Sequence, residues 1–242
     1  MTCLALHGFT QRGTMWTEVA AAAGGEWVTP DLPGHGLRPV RSWEEAVAGV
    51  AALLRAVPEP RLLVGYSMGG RLALAVALDH PALVDRLAVL SASAGLADAG
   101  ERERRRAQDA ALAEHIEAVG VAAFVDEWLA RPLFAGLAAR GPQWRAADRA
   151  ARLGSDASGL AGALRALGQG AQPHLGGRLA ELAMPVLLAA GEADPKHAAL
   201  AGEMGRRIPR ATVAVAPGAG HALVGERPSD VASLLAGWTA VR

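Results

Sequence analysis

Residues 61–80 constrain the fold more than any other part of the chain. An apolar run over 61–66 leads into Gly65-Tyr66-Ser67-Met68-Gly69-Gly70, and a second apolar run over 68–79 follows and closes at Pro81. The first run has the length of a buried strand, and the second suits a helix packed on a sheet. A Gly-x-Ser-x-Gly between strand and helix is a nucleophile elbow. Its serine occupies a strained, tight turn, and a side chain at either flanking glycine would meet the neighbouring strand or helix. The turn lifts the hydroxyl above the sheet edge and aims the helix N-terminus at it.

Five more short apolar runs, 3–6, 26–29, 87–91, 185–190 and 212–216, lie beside Gly, Pro, Asp or Ser and read as strands. Helical patterns separate them. Ser42-Trp43-Glu44-Glu45 is a capping box, followed by Val47, Val50, Leu53 and Leu54 at helical spacing and by Pro58. Val231, Leu234, Leu235 and Trp238 mark an amphipathic C-terminal helix. This alternation predicts an α/β fold: a mostly parallel sheet of about six strands with helices on both faces. The stretch 95–172 breaks the alternation and reads as several helices. It is expected to be a helical lid inserted into a core formed by 1–94 and 173–242.

Composition narrows the function. The 242 residues suit one large α/β domain with an insertion. Lysine plus arginine and aspartate plus glutamate both total 24, so the net charge is zero, which argues against a nucleic-acid or anionic-membrane binder. Cys3 is the only cysteine, so no intramolecular disulfide forms, and its apolar setting suits an inert buried thiol. The N-terminus has no signal-peptide pattern, and no apolar run reaches membrane-spanning length. The expectation is a soluble cytoplasmic protein, a monomer or weak homo-oligomer. Lys196 is the only lysine, so arginine-for-lysine usage carries no weight by itself.

A serine hydroxyl needs a base. In this type of site the acid and then the histidine follow the serine in the chain. His221 sits in Pro217-Gly218-Ala219-Gly220-His221, directly after the last strand pattern. His197 is expected to begin a helix and to be solvated. Asp194, in Gly191-Glu192-Ala193-Asp194, is the first choice of acid, with Glu192 as its competitor. The 27-residue step from Asp194 to His221 holds one helix and one strand, which returns both to one sheet edge. Oxyanion donors are expected from the amides of Met68 and Phe9, the latter in the His7-Gly8-Phe9-Thr10 loop.

His7-Gly8, Asp31-Leu32-Pro33-Gly34-His35-Gly36, the Ser67 elbow and the Asp194/His221 pair together resemble the α/β-hydrolase superfamily over nearly the whole chain. That fold usually opens with an antiparallel hairpin before the His-Gly strand. This chain begins at that strand, so about six strands are expected.

Finer features resemble one family within it, the 2-succinyl-6-hydroxy-2,4-cyclohexadiene-1-carboxylate synthases of menaquinone biosynthesis. They are Arg71 directly after the elbow, the Ser91-to-Leu96 stretch, the arginine-rich helix ending in Asp109, Trp128 with Pro132-Leu133-Phe134, and Gly191-to-Lys196. An aromatic residue is usual after that lysine in the family, where this chain has His197. By this resemblance Arg71, Arg105 and Arg152 bind substrate carboxylates; Arg104 or Arg106 could take the place of Arg105. Tyr66, Trp128 and Phe134 line the pocket, and Lys196 lies near it.

The resemblance implies a lyase that eliminates pyruvate from 2-succinyl-5-enolpyruvyl-6-hydroxy-3-cyclohexene-1-carboxylate. Ser67 would act as base, supported by His221 and Asp194. The implied partner is a small polycarboxylate. No metal-ligand cluster or phosphate loop is visible in the sequence, so no cofactor or metal is implied. Two other readings stay open. One is a carboxylesterase or thioesterase working through an acyl-serine. The other is a non-catalytic binding protein, against which the intact Ser67, Asp194 and His221 argue.

Overall fold

A computed structural model describes residues 2–240. Six strands form one sheet: β1 (Thr2–Leu6), β2 (Glu26–Val28), β3 (Arg61–Tyr66), β4 (Arg86–Leu90), β5 (Val186–Gly191) and β6 (Ala211–Ala216). Their order is β2-β1-β3-β4-β5-β6, and every pairing is parallel. The expected strands are all present, each within one or two residues of its apolar run.

The strands alternate between two cores. Leu4, Leu6, Leu63, Leu87 and Leu188 face helices α2 (Trp43–Ala56), α3 (Met68–Asp79) and α7 (Pro195–Gly205). Cys3, Ala5, Leu62, Val64 and Leu187 face the opposite side, covered by α1 (Thr17–Ala23) and α9 (Pro228–Ala240). Cys3 is buried, as expected. The capping box forms its first half: the Glu45 amide donates to Ser42 Oγ at 3.1 Å.

Between β4 and β5 lie α4 (Ala99–Leu129), α5 (Gly141–Arg152) and α6 (Ala157–Leu167), with no strand among them. Helix α4 is broken at Gly120, whose φ of 79° and ψ of 168° are not helical. This segment has an apolar core of its own, in which Ala113, Ile116 and Phe124 of α4 meet Leu160, Ala161 and Leu164 of α6. Among the described residues no helix is long and apolar enough to cross a membrane.

The elbow shows why two glycines flank the serine. A Cβ on Gly65 would overlap the Gly69 carbonyl, and one on Gly69 would overlap the carbonyls of Leu6 and His7. The Gly69 amide donates to the His7 carbonyl at 3.1 Å and the Ser67 amide to Leu90 at 2.8 Å, tying the turn to the ends of β1 and β4. Ser67 itself has φ 51° and ψ −111°, a conformation few non-glycine residues adopt. Gly69→Ala is expected to lower stability by roughly 1–3 kcal/mol, as overpacking against rigid backbone does. A thermal melt checks it.

Candidate active site

The carboxyl ends of β1, β3 and β5 and the loop after β6 bring four groups together. Ser67 Oγ lies 3.2 Å from His221 Nε2. His221 Nδ1 lies 2.7 Å from Asp194 Oδ2. Asp194, not Glu192, supports the histidine; Glu192 accepts instead from the Gly218 amide at 2.9 Å, out in solvent. A carboxylate on Nδ1 fixes the tautomer that leaves Nε2 free to take the serine proton.

Two opposing effects set the electrostatics. Burial pushes Asp194 up, but hydrogen bonds from His197 and His221 outweigh it and hold the carboxyl well below its ordinary range. Burial also pulls His221 below its ordinary value, against the opposing pull of Asp194. His221 therefore stays neutral, and able to accept a proton, into mildly acidic solution.

His197 corrects the sequence expectation. It does begin a helix, but it is buried rather than solvated, with 8% exposure. Asp194 caps α7 and Pro195 occupies the first helical position, which places His197 over the cap. Its Nδ1 donates to Asp194 Oδ2 at 2.7 Å and its amide to Oδ1 at 3.3 Å. Ligand atoms of Asp194, His197 and His221 lie within 4.8 Å of one another, a two-histidine, one-carboxylate set that the sequence reading did not see. The carboxylate oxygen is already taken by two imidazole N–H groups.

The amides of Phe9 and Met68 donate to no other described group, which leaves both available to an oxyanion. The Phe9 loop is held by two buried histidines. The Leu32 amide donates to His7 Nε2 at 2.8 Å, and the Thr10 amide donates to His35 Nε2 at 3.1 Å. Each ring turns its other nitrogen to a backbone carbonyl, Gly8 and Pro33 respectively. The loops 7–10 and 31–36 are thus cross-clamped by neutral imidazoles.

Burial lowers the pKa of His7 from 6.5 to about 4 and that of His35 well below 6.5. Below pH 6.5 the unfolded chain binds protons that these rings refuse, so stability falls as pH drops from 6.5 toward 4. His7 alone contributes a loss of about 3 kcal/mol across that window. Urea unfolding at about pH 7 and about pH 5 should show the midpoint falling.

A cavity of about 300 Å³ opens over Ser67. Tyr66, Met68, Phe9, Arg71, Arg105, Trp128, Phe134 and Lys196, all singled out in the sequence, line it. Trp128 packs on Phe9, Phe124 and Phe134 with ring centroids 5.4, 5.6 and 5.7 Å apart, forming an aromatic wall from the inserted helices.

The arginines differ. Arg71 is buried and makes one long hydrogen bond, 3.4 Å to Gln172 Oε1; among the described residues no carboxylate pairs with it. Burial, with Arg105 adding to it, lowers its pKa to about 10. Arg105, rather than Arg104 or Arg106, reaches the cavity, held by Asp109 Oδ1 at 2.8 Å and by Gln169 Oε1. Arg106 instead pairs with Glu103 at the surface. Arg152 is not on the cavity wall. It bonds Asp148 at 2.8 Å and Thr10 Oγ1, and it lines an adjoining cavity behind the Phe9 loop.

Sequence reasoning missed three glutamines: Gln172 and Gln169, which orient the two cavity arginines, and Gln11, a cavity-lining residue whose buried Oε1 has no partner. Only the run Gly168-Gln169-Gly170-Ala171-Gln172, polar and close behind an apolar helix, hinted at the first two, and nothing pointed to Gln11.

Comparison with known proteins decides the family. The pattern of the alpha/beta hydrolase family matches residues 3–234. The chain belongs to the alpha/beta hydrolase family. Within this alpha/beta hydrolase group, it is 33% identical to the 2-succinyl-6-hydroxy-2,4-cyclohexadiene-1-carboxylate synthase of Serratia proteamaculans (strain 568), over 89% of this chain and 84% of that protein. A Bacillus subtilis (strain 168) protein, given the same name provisionally, is 35% identical over 92% of this chain and 84% of its own length. Among solved structures, MenH from S. aureus superposes with a TM-score of 0.93 at 28% identity, covering 99% of this chain and 93% of that one.

Proposed function

We propose that this enzyme is a lyase. It eliminates pyruvate from 2-succinyl-5-enolpyruvyl-6-hydroxy-3-cyclohexene-1-carboxylate to give 2-succinyl-6-hydroxy-2,4-cyclohexadiene-1-carboxylate. The observation that carries the reading is Arg71: a buried guanidinium without a carboxylate partner, on the wall of the cavity over Ser67. A buried cation needs an anion, and a substrate carboxylate supplies one. Arg105 offers a second site with its fork already oriented. The names of the full-length relatives point the same way.

In the proposed mechanism, His221 Nε2 takes the Ser67 proton as Ser67 Oγ removes the proton from ring C2. The C2–H electron pair moves through the ring and breaks the C5–O bond. The enolpyruvyl group leaves as its enolate and takes up the proton held by His221, which gives pyruvate after protonation at carbon and restores the neutral imidazole. The Phe9 and Met68 amides stabilise charge that develops on the succinyl carbonyl. The arginines hold the ring against the serine, which makes a weak base effective. Arg152 acts from behind, steadying Thr10 next to Phe9.

The helices of 95–172 serve as a lid, since Arg105, Trp128, Phe134 and Leu164 of that segment form the cavity's outer wall. On this reading the partner is a small polycarboxylate, handled in the cytoplasm by a monomer or weak homo-oligomer. Pyruvate release from the enolpyruvyl substrate, run beside a panel of p-nitrophenyl esters, tests the assignment. Fast release with weak ester cleavage supports it. Ester cleavage without pyruvate would return the chain to the hydrolases.

A further inference from the structure

His197 has no part in the proton transfers described above, yet it occupies the centre of the triad. Its Nδ1 donates to Asp194 Oδ2 at 2.7 Å, the same atom and the same distance as the His221 bond. The two rings lie 4.6 Å apart. A carboxylate oxygen has two acceptor sites, so both bonds form together. Each donor draws on the charge of one oxygen, so each weakens the pull available to the other.

We propose that His197 is a positioning residue of the triad: by sharing Asp194 Oδ2 with His221, it fixes the carboxylate and moderates its hold on the His221 proton. The geometry supports two consequences. First, Asp194 cannot rotate without breaking three bonds, one from His221 and two from His197. Second, His221 gives up its Nε2 proton more readily than it would beside a carboxylate that served it alone. It returns to the neutral form at lower pH, ready to take the next serine proton.

Other groups also act on His221. Glu226 of α8 (Leu223–Glu226) favours its charged form, while Tyr66 packs on it at 5.6 Å. Arg71 of α3, Arg105 of α4 and Lys196 of α7 stand on the cavity wall it faces. None of these touches Asp194 Oδ2. Replacing His197 alone therefore changes the shared bond and leaves that surrounding charge in place.

The test is an imidazole NMR titration of His221 in the full chain, comparing the wild type with His197→Phe and His197→Asn. Asparagine places an amide N–H where Nδ1 stood, whereas phenylalanine removes the donor. The His221 midpoint should rise by roughly 0.5–1 pH unit in His197→Phe and stay at the wild-type value in His197→Asn. The acid limb of kcat/KM for pyruvate release should move with it. A residue that merely fills space would lower the melting temperature and leave the midpoint in place, and that result overturns the proposal. The wild type decides the matter should His197→Phe not fold: two downfield Nδ1–H signals are expected, and a single one contradicts the shared bond. The rate arm rests on the lyase reading and the NMR arm does not. Absence of pyruvate with a shifted midpoint would reject the lyase and keep the role of His197.

Discussion

Ser67→Ala should lower kcat for pyruvate release roughly 1,000-fold while leaving substrate affinity nearly unchanged. In the proposed mechanism Ser67 relays the substrate proton to His221, 3.2 Å away, while the arginines supply the ground-state binding. Removing a positioned base typically costs 10²–10⁴-fold, about the scale expected here. An interaction used only in the transition state lowers kcat and kcat/KM equally. The elbow conformation survives, since alanine tolerates the Ser67 backbone no worse than serine does and the flanking glycines remain. Stopped turnover with intact binding, measured by titrating substrate into the variant, separates this from loss of fold. A variant that loses affinity and rate together would place Ser67 in binding rather than in proton transfer.

Arg71→Ala should cut kcat/KM by roughly 30-fold or more, the cost of leaving a buried substrate carboxylate unpaired. Arg71→Lys recovers only part, because an ammonium cannot reproduce the two parallel bonds of the guanidinium fork. The fold responds differently. Arg71 is buried with one 3.4 Å bond to Gln172, and burial already brings its pKa down to about 10. In the resting protein the Arg71 cation has only the Trp43 ring at 5.9 Å and the field of Asp109 to offset its burial, so Arg71→Met should hold or raise the melting temperature while activity falls. Lost activity with retained stability marks a residue kept for its substrate. Cleavage of uncharged p-nitrophenyl esters, however slow, should be insensitive to the change. Equal losses on charged and uncharged substrates would show that Arg71 only shapes the turn.

The division between what the sequence revealed and what it hid follows range. The four central strands are buried on both faces and read as apolar runs, and the partly exposed edge strands β2 and β6 still carry mostly apolar residues beside turn signals, so all six were legible. The elbow was legible because its two glycines are forced by contacts with backbone four or five residues away or at the end of the next strand. Asp194 and His221 were legible because each follows a strand at the same sheet edge. His197 was misread, since helix starts usually face solvent. Its true place follows from capping arithmetic: Asp194 is the cap, Pro195 the first helical residue, and the third helical residue lies over the cap. Gln169 and Gln172 were invisible because their partners, Arg105 and Arg71, lie far away in the chain. Arg152 was expected at the substrate and stands behind the Phe9 loop, a difference that only the packing of α5 against that loop could reveal.

In the proposed mechanism Ser67 takes a proton from carbon and is never acylated. Substrate deuterated at ring C2 tests it most directly, in a single turnover followed by pyruvate release and by intact-protein mass. A primary isotope effect on release and a protein mass that never changes are expected. Release without an isotope effect, together with a covalent adduct on Ser67, would contradict it and make this protein a serine hydrolase.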